Sequence, residues 1–581
     1  MKYFLKMTAA SCLSMIIGVC LFLGLIMFML FSFIMSAHQM ANVSRVIPQS
    51  AGGVMVIDLS QLVSKKPVSS ESVEFVFGEG LGLNDSQISA SIFVASQDAN
   101  ITEILLVGNA NEGNYSFAQL ASVRYALQAF KLQGKSVYAY IDNVDFRTYW
   151  LYSVADRIFM NPIGDIDMSG IGINSPFFGN ALKKYGVGVQ VVKCGKYKSF
   201  GDMFTQDKYS DGTRENIKQL ASDLWNLIYA QVSESRKIDI KYVSETNPFM
   251  PAETAKERGF VDEIIYRDEL NNILSLEKQC TILSYASLNT NLFQKNAGIA
   301  IVYMDGDIVS YGDSQQCISS TEYRRIFREI SNDNYIKAVI LRINSGGGSA
   351  YASEEIRREV ALLAEKKFVV TSVSSMAASG AYWIATASNK IFAQQESVIG
   401  SIGVFGIFFD IQKLSNDFGV TYDGVDISPY ANAFTITRPK TQAELDKVQI
   451  LVDGIYEKFC NLVIKSRGID SGKIADIATG EVWLSERAYA MKLIDGTASL
   501  DEVISYVVHE KNLAGVGIIS YPRPKTFKDK LKAFFGQRDE LLIKQFGKNS
   551  FSSKFLDVKN VMKYFDDKNS VYARIPYALE L

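Results

Sequence analysis

The sequence predicts an α/β protein built as two copies of one domain behind an N-terminal transmembrane helix, and three features of its 581 residues carry that prediction. Between Lys6 and Arg45 there is no Asp, Glu, Lys or Arg. Further on, strand-like apolar runs alternate with stretches of helical period, the grammar of βαβ units and a parallel sheet. That order then restarts, and one register relates the two passes.

The charge-free interval contains CLSMIIGVCLFLGLIMFMLFSFIM. A bilayer span takes about 20 apolar residues and a cleavable signal core about 7–15, so the run reads as a retained anchor. The competing reading is a long signal peptide cut near Ala37. Lys2 and Lys6 precede the run, which by the positive-inside rule keeps the N-terminus in the cytoplasm. Residues 1–45 are expected to be a cytoplasmic stub and a single pass through the inner (cytoplasmic) membrane. Everything after Arg45 then lies on the extracytoplasmic, periplasmic side.

GGVMVIDL and ITEILLVGNAN read as buried strands, SFAQLASVRYALQAFKLQ as an amphipathic helix and KSVYAYIDN as another strand. From Ala297 the order recurs: GIAIVYMDGDIV and KAVILRINSGGG as strands, ASEEIRREVALLAEKK as a helix, FVVTSVSS as a strand. Tyr149-Trp150 matches Tyr382-Trp383 at an offset of 382 minus 149, or 233 residues. The same offset pairs Ile158-Phe159 with Ile391-Phe392, Gly170 with Gly403, and Val261-Asp262 with Ile494-Asp495. An internal repeat at one register implies two copies of one domain, 46–292 and 296–515. Residues 516–581 form a tail whose RPKTFKDKLKAFFGQRDELLIKQFGK fits either an interfacial amphipathic helix or a segment docked on its own domain or a neighbour.

Composition narrows the chemistry. A hydrophobic share of 48% and a net charge of −2 describe globular domains with no basic field for nucleic acid. The two histidines, His38 and His509, leave little material for a zinc site or a Ser-His-Asp triad. None of the six cysteines shares a CxxC spacing with another.

The stretch VSSMAASGAYWIATASNKIFAQQESVIGSIGVFG runs from a strand through small residues into a helix, which places Ser379 at a helix N-terminus. There a serine either caps the helix or acts as a nucleophile beside unpaired N–H groups and the positive end of the dipole. The repeat register separates these readings. Ser379 faces Phe146 in the first copy, and Lys198 of the first copy faces Ala431 in the second. Each copy has kept one member of a pair. A serine hydroxyl needs a base, and with histidine nearly absent the base is a lysine kept neutral by burial. Lys193 and Lys196 lie in the same segment, VVKCGKYKSFGDMF, and the register singles out Lys198. The turn Asn344-Ser345-Gly346-Gly347-Gly348-Ser349 lets a backbone approach a substrate closely, and its first-copy counterpart, Asn111 to Tyr115, has lost the glycine run. Gly134-Lys135-Ser136 is not a P-loop, because Ala129 stands where its first glycine belongs.

NSGGGS, SMAASGAYWIA, GSIGVFG, ATGEVW and the Ala-x5-Ile-Asp-Gly ending at Gly496 together resemble the signal peptide peptidase A family, also called protease IV, in its long tandem form. The resemblance implies domains similar to Clp protease and crotonase, Ser379 as nucleophile and Lys198 as general base. It also implies oxyanion donors from the backbones of Gly347 and Gly380, and a supporting Ser401 that holds the lysine amine; Met168 faces Ser401 in the first copy. Gly346 departs from the proline common in the family at that position. The activity implied is a membrane-anchored serine endopeptidase that degrades apolar peptides such as cleaved signal peptides, as a bowl-shaped homotetramer, with no metal, cofactor or nucleic acid. Two other classes fit the same sequence: a catalytically silent membrane scaffold, and a crotonase-type acyl-CoA enzyme.

Overall fold

The computed structural model describes residues 53–61, 83–110, 115–288, 297–312, 317–523 and 571–574; the expected membrane anchor and most of the C-terminal tail lie outside them. Among the described residues no helix is long and apolar enough to cross a membrane.

The first pass of the chain builds a seven-stranded sheet around a parallel core. Its central strands, Gly53–Asp58, Ile101–Val107, Ser136–Val144 and Arg157–Asp167, lie side by side in chain order and pair in parallel. The helix Phe117–Leu132 begins where the sequence signals it: Ser116 caps it and Gln119 closes the capping box. The second pass builds an eight-stranded sheet the same way, with Ala297–Asp305, Ala338–Ser345 and Phe368–Ala378 adjacent and parallel. A 26-residue helix crosses each copy, Asp211–Arg236 in the first and Gln442–Arg467 in the second. In the first, Leu220, Leu224, Ile228 and Val232 recur every four residues and form its buried face.

The register of 233 residues holds at the level of single hydrogen bonds. Tyr149 Oη donates to the Phe260 carbonyl at 2.9 Å, and Tyr382 Oη to the Leu493 carbonyl at 2.7 Å. Asp262 accepts from the Ile158 N–H at 2.7 Å, and Asp495 from the Ile391 N–H at 2.8 Å. Both hydroxyls are buried, so Tyr149→Phe and Tyr382→Phe each leave a buried carbonyl unpaired. Each is expected to cost about 1–3 kcal/mol in denaturant unfolding; an unchanged midpoint in either would show that the two contacts are not equivalent.

The copies share packing. The first copy's core continues through Met376, Ala378, Val398, Val482 and Leu484 of the second. Arg342, almost fully buried, donates to Ser372 Oγ at 2.9 Å and Gln394 Oε1 at 3.0 Å and faces Asp85 of the first copy at 3.4 Å. A third sheet of six short strands joins the copies, in the order Ile318–Ser319, Ile308–Val309, Gly347–Ser349, Val571–Arg574, Val404–Asp410 and Gly188–Cys194. Through it the first copy's Gly188–Cys194 pairs antiparallel with the second copy's Val404–Asp410, in continuous register from Gly188 opposite Asp410 to Cys194 opposite Val404.

Candidate active site

That crossing strand positions the lysine. Gly188–Cys194 ends at the Gly195-Lys196-Tyr197 turn, which delivers Lys198 into the second copy. From the other side, the strand Phe368–Ala378 ends at Ser379, and the helix Gly380–Ala385 begins immediately after it. The sequence reading ended that strand near Ser374, but the small residues Met376, Ala377 and Ala378 extend it by pairing with Val398–Gly400.

Ser379 is not an N-cap in the ordinary sense, because its side chain makes no capping hydrogen bond. Its backbone sits at φ 55° and ψ −115°, a region that a non-glycine residue enters only when its surroundings force it. The Ser379 N–H donates to the Gly400 carbonyl at 2.8 Å, which helps hold that turn. The consequence is a hydroxyl turned away from its own helix and toward Lys198.

Lys198 Nζ and Ser379 Oγ are hydrogen-bonded at 2.7 Å. Ser401 supplies the other contacts of the amine, its Oγ at 2.9 Å and its carbonyl at 3.1 Å. Ser401 also has positive φ, 52°, which turns both oxygens toward the amine. Lys198, Ser379 and Ser401 are each 0% exposed. Burial is the cause that drives the Lys198 amine well below its ordinary value of 10.5. A neutral amine has two N–H donors and one lone pair. In that neutral form, with its two donors on the Ser401 oxygens, the amine would turn its lone pair to the Ser379 hydroxyl proton.

Gly347 and Gly380 are brought together at this point: a Cβ on Gly347, which has φ +101°, would stand 2.9 Å from the Gly380 nitrogen. The Gly347 N–H donates to Ser345 Oγ at 3.1 Å in this conformation. His509 lies in the helix Leu500–Lys511, whose Val503 and Val507 pack on Ile340 and Val370, the sheet face opposite the one that carries Leu341 and Val369 in the main core. Lys193 pairs with Asp202 at 3.2 Å.

The first copy's corresponding positions are filled with apolar bulk. Phe146 is packed at 4.9 Å from the Trp225 ring and 5.9 Å from that of Phe117, and Met168 is fully buried in the same core. In the second copy, Ala431 lies in an exposed stretch with no regular strand to correspond to Gly188–Cys194. Among the described residues, Cys194, Cys280 and Cys460 are free thiols.

Sequence reasoning assigned no role to ATGEVW. Here Thr479 accepts from the Tyr197 N–H at 2.8 Å, and Gly480, at φ +90°, lies against the Lys198 backbone, where a Cβ would stand 2.7 Å from the Lys198 nitrogen. Asn216 of the first copy locks Val482, two residues further on, from both sides, donating to its carbonyl at 3.0 Å and accepting its N–H at 3.2 Å. A glycine inside a segment 282 positions past the lysine was the available signal, and nothing local links the two.

A doubled α/β scaffold here carries a buried amine against a buried hydroxyl, and comparison with known proteins gives the chain its class, serine peptidase. The chain belongs to peptidase family S49, whose profile matches residues 129–281 and again 361–514. It is 31% identical over 434 residues to Protease 4 of Haemophilus influenzae, covering 71% of this chain and 70% of that one. It is 29% identical to Protease 4 of Salmonella typhi, covering 79% and 78%. It is also 27% identical to the chloroplastic Serine protease SPPA of Arabidopsis thaliana, covering 79% and 70%. Among solved structures, the ClpP1 N165D mutant from Listeria monocytogenes aligns with 35% of the chain at 14% identity and a TM-score of 0.24, which carries no argument here.

Proposed function

We propose that the chain is a membrane-anchored serine endopeptidase with a Ser379–Lys198 dyad, acting on extended apolar peptides such as cleaved signal peptides. The observation that supports it most is the neutral-favouring burial of Lys198 at 2.7 Å from Ser379 Oγ. In acylation, Ser379 Oγ attacks the peptide carbonyl while its proton passes to Lys198 Nζ, which then gives it to the departing amine. The backbone N–H groups of Gly380 and, once Ser345 releases it, Gly347 receive the oxyanion. Lys198 then takes a proton from water, whose hydroxide attacks the acyl carbon; the bond to Ser379 Oγ breaks and Oγ takes the proton back from Lys198. Ser401 holds the amine throughout and donates or accepts nothing in the bond changes.

On this reading the copies 46–292 and 296–515 are Clp- and crotonase-like domains that supply base and nucleophile respectively. Residues 1–45 anchor them outside the cytoplasmic membrane, and four chains close a bowl around the sites. No step calls for a metal. Ser379→Ala tests the reading: the purified variant should lose cleavage of an apolar fluorogenic peptide and labelling by a fluorophosphonate together, with its melting transition kept. Cleavage by the variant at the wild-type rate would eliminate the dyad, and no cleavage or labelling by the wild type itself would favour the silent scaffold. Thioester turnover would favour the acyl-CoA enzyme.

A further inference from the structure

Glu396 lies in the turn between the strands Lys390–Ala393 and Val398–Gly400, and its carboxyl reaches across the joint into the first copy. Oε1 accepts from Tyr125 Oη and from Gln231 Nε2, each at 3.2 Å. Among the described residues Oε2 has no hydrogen-bond partner, and the residue is 2% exposed. At the same register position the first copy carries Ile163, which is 89% exposed. The buried carboxyl is therefore a feature of the joint and not of the domain that was duplicated.

Two first-copy helices meet Glu396. Phe117–Leu132 brings Tyr125 and Arg124. Arg124 acts on Glu396 through its charge. Its guanidinium donates elsewhere: to the Trp150 carbonyl, to Ser153 Oγ at 2.9 Å, to the Gln231 carbonyl at 3.3 Å and to Ser235 Oγ at 2.7 Å. Asp211–Arg236 brings Gln231, whose Oε1 accepts from Trp150 Nε1 at 2.7 Å, and Glu234, whose charge acts on Arg124. Glu502, in the second-copy helix Leu500–Lys511, acts on Tyr125. Burial raises the Glu396 carboxyl above its ordinary value of 4.5, against the opposing pull of Gln231, its own N–H, Tyr125 and Arg124.

A neutral carboxyl accepts the bonds from Tyr125 and Gln231 at no electrostatic cost. An ionised one puts into the joint a charge that no cation pairs with among the described residues, and a buried position relieves such a charge by opening. That opening would act on the catalytic centre through a short stretch of chain. Ser397 Oγ is tied to the Ser374 carbonyl, and the strand Val398–Gly400 follows directly. The Gly400 carbonyl accepts the Ser379 N–H at 2.8 Å. Ser401, five residues past Glu396, holds the Lys198 amine with its Oγ at 2.9 Å and its carbonyl at 3.1 Å. A displacement of about 1 Å between base and nucleophile lowers the rate about 100-fold.

We propose that Glu396 is a positioning residue whose neutral carboxyl holds the two copies in register at the active site, and that its ionisation ends peptide cleavage on the alkaline side. The proposal rests on the peptidase reading of the Ser379–Lys198 pair. Activity is then bounded twice, by protonation of Lys198 as pH falls and by ionisation of Glu396 as pH rises.

The test is the pH profile of kcat/KM for an apolar fluorogenic peptide, and of the fluorophosphonate labelling rate, for the full chain and its Glu396→Gln variant in detergent. Wild type should lose both on the alkaline side by about tenfold for each pH unit, to about 100-fold in all, and recover them when the pH is lowered again. The amide keeps an acceptor for Tyr125 and Gln231 and does not ionise. The variant should therefore hold its own rate through that range and keep the acid limb set by Lys198. Glu396→Leu, uncharged and of similar volume, should show the same flat alkaline side whatever its absolute rate, and serves if the amide variant fails to fold. An alkaline limb in a folded variant equal to that of wild type overturns the proposal, and so does a wild type without one. If no form of the chain cleaves or is labelled at any pH, the peptidase reading fails and takes the proposal with it.

Discussion

Lys198→Met is expected to abolish peptide cleavage and to raise the melting temperature in the same protein. The loss of activity follows from removing the one amine that, among the described residues, is hydrogen-bonded to Ser379 Oγ, worth about a thousandfold or more in kcat/KM. The gain in stability follows from burial. Desolvation holds the folded-state value of Lys198 well below the ordinary 10.5. Between the folded value and 10.5 the unfolded chain binds a proton that the folded chain does not, so wild-type stability rises with pH across that window. The advantage of the methionine variant is therefore largest at low pH and shrinks as pH approaches 10.5. Wild-type activity moves in the same direction, falling as pH drops through the folded value, because the base must be neutral. Thermal melts at several pH values, beside a pH profile of kcat/KM, check both. A variant less stable than wild type at every pH would mean that the hydrogen bonds of the amine to Ser379 and Ser401 outweigh its desolvation.

Gly480→Ala should reduce kcat by about 10- to 100-fold while leaving KM nearly unchanged. The alanine Cβ would stand 2.7 Å from the Lys198 nitrogen and 3.1 Å from its Cα, and the backbone there is at φ +90°. Neither neighbour is a flexible chain end, so the lysine turn must shift. A shift of about 1 Å at the base is enough for a loss of that order. The same substitution at Gly454, which has open space around it in the second long helix, is the control and should leave kcat intact. Wild-type kcat in Gly480→Ala would show that the lysine turn tolerates displacement.

Much of this site is legible in the sequence because duplication left a comparison inside the chain. Phe146 opposite Ser379, and Ala431 opposite Lys198, mark the two positions at which the copies part, and the folded chain brings Lys198 and Ser379 into contact. The central strands and long helices of both copies are readable for the usual reason: strands such as Ala338–Ser345 are continuous apolar runs buried on both faces, and the helices bury one apolar face. What escaped reading depends on tertiary contact. The positive φ of Ser379 arises from the junction of strand and helix and from its bond to Gly400. The bearing of Gly480 on Lys198 joins residues far apart in the chain. Val571–Arg574 is too short to announce itself as a strand, and it becomes one only between two waiting edges.

The crossing of Gly188–Cys194 onto the second copy has a genetic corollary. A chain severed between residues 288 and 297 would yield one fragment with an amine and no partner hydroxyl, and another with the reverse. Neither inherits a working centre by itself. Fusion of the two copies in one reading frame fixes their ratio at one to one, so lesions in either half inactivate the same polypeptide. It also frees each half from carrying what the other supplies, and Phe146 stands in the first half at the register position of the second half's Ser379.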